Sequence, residues 1–106
     1  MNKKEISELN DIYLYVSEVL KNLTVTYEPN TFCYLTFLLK QHLDAYVNFD
    51  ETDKVIDIDF GRYVFSVELN DKKDLELSKC VEIYDESEGY IGFYDLENNE
   101  FNPVEN

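Results

Sequence analysis

The stretch from Val55 to Leu69 places the tightest limit on what this chain can fold into. It reads Val-Ile-Asp-Ile-Asp-Phe-Gly-Arg-Tyr-Val-Phe-Ser-Val-Glu-Leu. Ile56, Ile58 and Phe60 alternate with Asp57 and Asp59, and Tyr63, Phe65, Val67 and Leu69 resume the same period of two after Gly61-Arg62. Two such runs joined by two residues, glycine first, predict a β-hairpin. Its register sets Phe60 against Tyr63, Ile58 against Phe65 and Ile56 against Val67. A slip of one residue would turn Asp57 and Asp59 toward the core, so one face must be apolar and the other must carry the carboxylates.

The segments before the hairpin read as helices. Ile6, Leu9, Ile12, Tyr13, Val16, Val19, Leu20 and Leu23 recur every three or four residues and predict an amphipathic helix from about Glu5 to Leu23, with Leu14 and Tyr15 off the apolar stripe. Glu5, Glu8 and Asp11 near its start and Lys21 near its end suit the helix dipole. Leu23 to Tyr27 alternates and is a candidate short strand. Glu28-Pro29-Asn30 then breaks the chain, leaving Asn30 or Thr31 to cap a second helix along Phe32, Leu35, Leu38, Leu39, His42, Leu43 and Tyr46. A strand from Thr31 to Leu38 is the competing reading, because that segment is rich in Thr and aromatic residues. Val47 to Lys54 reads as a loop.

The segments after the hairpin read as strands. Asn70 to Asp74 is a turn, Leu75 to Tyr84 a strand, Asp85 to Gly89 a loop and Tyr90 to Leu96 a further strand. Setting Tyr84 opposite Tyr90 aligns Ile83 with Ile91, Val81 with Phe93 and Lys79 with Asp95. The expected fold is therefore α+β, with two N-terminal helices packed on one face of a four-stranded antiparallel β-meander. Residues 1–96 form a single domain and residues 97–106 a loosely ordered tail. The sheet's other face would carry Asp57, Asp59, Glu68, Glu76 and Glu82, with Cys80, Tyr84, Tyr90 and Tyr94 among them.

Charge restricts the kind of partner. The 106 residues hold 23 acids against 9 bases, a net of −14. Residues 55–106 alone hold fourteen acids and four bases, so the strand half is the more acidic half. Such a field repels nucleic acid and anionic membrane and attracts basic surfaces. Nine Tyr and seven Phe against three Gly and two Pro point to a folded globule rather than a disordered acidic chain. The N-terminal residues lack the unbroken apolar run of a secretory signal, and no stretch approaches the roughly 20 apolar residues of a membrane span, so a cytoplasmic protein is expected. Plentiful Asn, Lys, Ile, Tyr and Phe, which AT-rich codons favour, point to a bacterial host cell. Cys33 and Cys80 have no motif spacing and are expected to be reduced.

Catalytic signatures are missing from the pattern. The single histidine, His42, falls on the second helix's apolar stripe and is expected to be buried or half-buried, bonded to a neighbour such as a tyrosine. Asp57 and Asp59, like Asp85, Ser87 and Gly89, fit a calcium loop poorly. No phosphate-binding glycine loop, nucleophile elbow or zinc spacing occurs, so no enzyme activity, cofactor or metal is expected.

What remains is a surface. Carboxylates on every second strand residue form an anionic array whose spacing is of the order of that between phosphates along a nucleic-acid strand, and interleaved tyrosines supply rigid contact area. In size, charge and composition the chain resembles the small acidic inhibitors of phages and mobile elements, which bind host nucleic-acid-handling proteins. The resemblance implies an anti-defence inhibitor, a nucleic-acid mimic of the anti-CRISPR kind, blocking the basic channel of a CRISPR effector, restriction nuclease or glycosylase. The expected contact residues are Asp57, Asp59, Glu68, Glu82, Asp85, Glu86 and Glu88, with Tyr84 and Tyr90 as anchors. The alternative is an immunity protein or antitoxin held against a basic toxin. The protein itself would be a monomer or a homodimer, without direct nucleic-acid or membrane binding.

Overall fold

Helices α1 (Lys3–Tyr27) and α2 (Phe32–His42) precede six strands: β1 (Tyr46–Asp50), β2 (Val55–Asp59), β3 (Tyr63–Asn70), β4 (Glu76–Asp85), β5 (Gly89–Asp95) and β6 (Phe101–Pro103). The computed structural model describes residues 1–70 and 76–104, with side chains at residues 1–68 and 80–104. The turn expected from Asn70 to Asp74 falls largely outside the described residues, as do the side chains of Leu75, Glu76, Leu77 and Lys79. The strands form one sheet in the order β1-β2-β3-β4-β5-β6, every neighbouring pair antiparallel. The α+β class and the meander follow the sequence pattern, but the sheet has six strands where four were expected.

The two additional strands lie at the edges. β1 occupies the segment read as the end of the second helix and the start of a loop. Helix α2 stops earlier, at His42, where Leu43 turns to an extended backbone and its N–H closes on the Leu39 carbonyl at 2.8 Å. From there Val47 is buried while Tyr46 and Asn48 are exposed, a period of two that the four-residue spacing from His42 to Tyr46 had masked. β6 forms within the segment read as a loose tail. It pairs Phe101 with Tyr94, Asn102 with Phe93 and Pro103 with Gly92.

Helix α1 is longer than its stripe suggested. Asn2 caps it, its side chain accepting the Glu5 N–H at 2.8 Å while Glu5 accepts the Asn2 N–H at 3.3 Å, a reciprocal capping box. The helix continues through Leu23 to Tyr27, the candidate strand, and ends on Glu28 in the left-handed region (φ 45°), directly before Pro29. Thr24 fits there because its hydroxyl donates back to the Leu20 carbonyl at 2.9 Å. Thr31 caps α2, accepting from the Tyr34 N–H at 3.2 Å.

The central hairpin has the expected register, with Ile56 opposite Val67 and Ile58 opposite Phe65. Phe60 and Tyr63 close it through a 2.9 Å backbone bond around Gly61, whose φ of +97° only glycine adopts readily. The β4–β5 pair departs from expectation. Tyr84 does face Tyr90, but a bulge next to them sets Ile83 against Gly92, Val81 against Tyr94, Glu82 against Phe93 and Cys80 against Asp95. The extra residue reverses the alternation beyond it. Tyr94, expected on the open face, therefore points into the core, and Phe93, expected in the core, points out.

Both helices cover the inner face. Leu9, Tyr13, Val16, Leu20 and Leu23 from α1 and Leu35, Leu38 and Leu39 from α2 are buried with Ile56, Ile58, Phe65, Val67, Val81, Ile83 and Tyr94 from the sheet. At about 1.5–3 kcal/mol for each large apolar side chain removed from water, this contact outweighs any single polar interaction in the molecule. Tyr13 and Tyr94 lie at its centre, stacked at 3.9 Å with an interplanar angle of 6°. The Tyr13 hydroxyl donates to Asn99 Oδ1 at 2.8 Å and the Tyr94 hydroxyl donates to Asn10 Oδ1, so both rings are buried without an unpaired hydroxyl.

Candidate functional site

The sheet's second face is open to solvent. Because side chains alternate along each strand and the register is antiparallel, outward residues fall into rows across the sheet. One row runs Tyr46, Asp59, Val64, Tyr84, Tyr90. The next runs Asn48, Asp57, Ser66, Glu82, Phe93, Asn102. Below them Asp50, Val55 and Glu68 line up, with Cys80 opposite Asp95 further along. Tyr46 is 73% exposed, and Tyr84 and Tyr90 are each 37% exposed.

This arrangement brings Asp57, Asp59, Glu68, Glu82, Tyr84 and Tyr90 together. Asp57 and Asp59 are separated along β2 by about 6.6 Å of strand rise, and Asp57 and Glu82 flank Ser66 at two strand spacings, roughly 9.6 Å. Asp57 accepts from the Ser66 hydroxyl, and Asp59 Oδ1 accepts from the Gly61 N–H at 2.7 Å. The Tyr84 and Tyr90 rings meet edge to face at 5.4 Å, and the Tyr84 hydroxyl donates to Glu82 Oε2 at 3.3 Å. Partial burial, then the Glu82 carboxylate, raise the titration of both phenols above the usual tyrosine value; Tyr90 and Asp57 add to the effect on Tyr84, and Cys80 to that on Tyr90. Both hydroxyls thus remain donors across the neutral range.

The three remaining expected contact residues sit at the β4–β5 turn and divide. Glu86 and Glu88 are exposed. Asp85 is 6% exposed, and its Oδ1 accepts from the Ser87 N–H (2.9 Å), the Ser87 hydroxyl (2.9 Å) and the Glu88 N–H (3.3 Å). Its Oδ2 accepts from Arg62 Nε at 3.2 Å. These donors, the Ser87 N–H first, hold its carboxyl at about 2 despite burial. Asp85 therefore braces the turn that displays Glu86 and Glu88. Arg62 also pairs with Glu5, tying the start of α1 to both turns at this end of the sheet.

Sequence reasoning missed several members of the open face. Phe93 and Asp95 face outward only because of the β5 bulge, for which Gly92 in an aromatic run is the one local signal. Tyr46 and Val64 could have been found from the alternation in Tyr46–Asp50 and from the hairpin register.

The groups considered for catalysis are dispersed. His42 is exposed at the end of α2, not buried as expected; its ring lies 6.1 Å from that of Tyr27, and its carbonyl accepts from the Tyr15 hydroxyl at 3.3 Å. Cys33 is nine residues before it on the same helix, about 13 Å of helical rise away. Cys80 lies across the sheet, and neither cysteine is in a disulfide. Among the described residues no three His, Cys, Asp or Glu side chains are grouped to hold a metal ion, and no helix is long and apolar enough to cross a membrane. Compared with known proteins, the chain matches no protein-family model, no curated protein and no solved structure.

Proposed function

We propose that this protein is a non-enzymatic inhibitor whose acidic sheet face occupies the basic nucleic-acid channel of another protein, such as a CRISPR effector, restriction nuclease or glycosylase. One observation carries the reading: the strand register gathers Asp57, Asp59, Glu68 and Glu82 with the Tyr84–Tyr90 pair on a face that the helices leave open. Carboxylates at intervals comparable to phosphate spacing meet the lysines and arginines of such a channel, and the tyrosines add rigid area that desolvates the contact. Glu86 and Glu88 extend the same charge beyond the end of the sheet. Solubility alone needs far less charge than a net of −14 on 106 residues.

The test is capture from bacterial lysate on immobilised protein, with elution by rising salt. The expected result is retention of a nucleic-acid-binding protein that leaves steeply as salt rises and that releases its own nucleic acid when this protein is added. Replacing Glu68, Glu82, Glu86 and Glu88 together by lysine should abolish retention; Asp57 and Asp59 are spared because both accept internal hydrogen bonds. Retention of the same partner by the reversed variant, or nucleic acid left in place on the partner, defeats the proposal.

A further inference from the structure

Within the open face, four side chains form a tighter unit than charge alone requires. Glu82 lies beside Tyr84, whose hydroxyl it accepts at 3.3 Å, and its charge also acts on Tyr90. Tyr84 and Tyr90 meet edge to face, so the ring that presents its edge keeps both of its faces clear of the other. Asp57, across Ser66 from Glu82 in the same row, is close enough for its charge to act on Tyr84. Arg62 is engaged by Glu5 and Asp85 at the end of the sheet.

We infer that Asp57, Glu82, Tyr84 and Tyr90 form a seat for an arginine side chain of the partner, selecting a guanidinium over an ammonium ion. The inference rests on the proposed reading of this face and narrows its partner to one that presents arginine there. A guanidinium is planar and weakly hydrated. It can lie against a tyrosine ring while its in-plane N–H groups donate to a neighbouring carboxylate. A lysine ammonium is a compact, strongly hydrated charge that gains from the carboxylates but little from the ring plane. The weak 3.3 Å bond from Tyr84 leaves Glu82 free to accept stronger donors.

Fluorescence anisotropy with labelled ten-residue polyarginine and polylysine peptides, at matched ionic strength, tests this. The wild-type protein should hold polyarginine about fivefold or more tightly than polylysine. The double variant Tyr84→Leu/Tyr90→Leu, which changes no charge, should bring the two peptides to parity, and Tyr84→Phe/Tyr90→Phe should keep the preference. Equal affinities in the wild type, or a preference that survives in the leucine variant, overturn the arginine seat and leave a basic partner standing. Failure of both peptides to bind at low salt overturns the seat and the reading of the face together.

Discussion

Tyr63 and Asp85 face each other across β3 and β4, and both are buried, yet their polar atoms fare oppositely. The Tyr63 hydroxyl has no hydrogen-bond partner among the described residues. Burial accordingly pushes its titration up. An unpaired buried hydroxyl is a cost, so Tyr63→Phe should leave stability unchanged or raise it by about 1 kcal/mol in urea denaturation. Asp85 is fully engaged, and its carboxyl titrates at about 2 against 3.8 for the reference value. A depressed folded value contributes stability that is complete above about pH 4 and is lost as pH falls through about 2. Asp85→Asn should lower stability at neutral pH and flatten this acid limb, measured as denaturation midpoints across the pH 2–5 range. Nothing in the sequence marks this difference. Each stands at the end of a strand beside a turn, and only the chain's return through Ser87 and Glu88 decides which polar atoms are met.

At the scale of elements, the β5 bulge has the widest consequences. Gly92 has φ +146°, and a Cβ there would lie 2.3 Å from the Asn102 carbonyl oxygen and 2.9 Å from Pro103 Cα, both backbone atoms of β6. Gly92→Ala should therefore cost at least about 2 kcal/mol and release β6, seen as faster amide exchange at Val104, whose N–H bonds the Ile91 carbonyl at 3.0 Å. Gly61→Ala, where φ is +97° but no atom lies within 4 Å, should cost only about 1 kcal/mol. An equal loss in the two variants would mean that backbone strain rather than the close approach of β6 dominates at Gly92. The central hairpin was legible because its pattern, turn and register agree within fifteen residues. β1 and β6 were not, since five-residue and three-residue strands carry too few alternations to outweigh an accidental helical spacing or a polar tail.

For the whole molecule, the arrangement separates functions by face: helices and inner strand residues make the core, and the outer residues carry charge. The Cα radius of gyration is 13.4 Å, so with a net charge of −14 many like charges lie within one or two screening lengths of each other. Raising sodium chloride from about 0.01 M to about 0.3 M shortens the Debye length from about 30 Å to below 10 Å and should raise the thermal midpoint. A fall in the midpoint would mean that the Arg62 ion pairs with Glu5 and Asp85 outweigh the general repulsion. Reversing Glu68, Glu82, Glu86 and Glu88 to lysine should likewise not lower the midpoint, which separates loss of binding from loss of folding.

By itself the sequence determined the two helices, the hairpin with its apolar and acidic faces, and a strongly acidic net charge. Each of these follows from spacing within one segment, where helical or strand period and charge are both local. Only the tertiary structure decided that Tyr94 is a core residue stacked on Tyr13, that Phe93 and Asp95 face outward, that His42 is exposed and that Asp85 braces a turn. These outcomes depend on a single inserted residue in β5, on where α2 stops and on which strands close the sheet edges. A one-residue change in pairing reverses every side chain beyond it, and the patterning of an isolated segment does not count that residue.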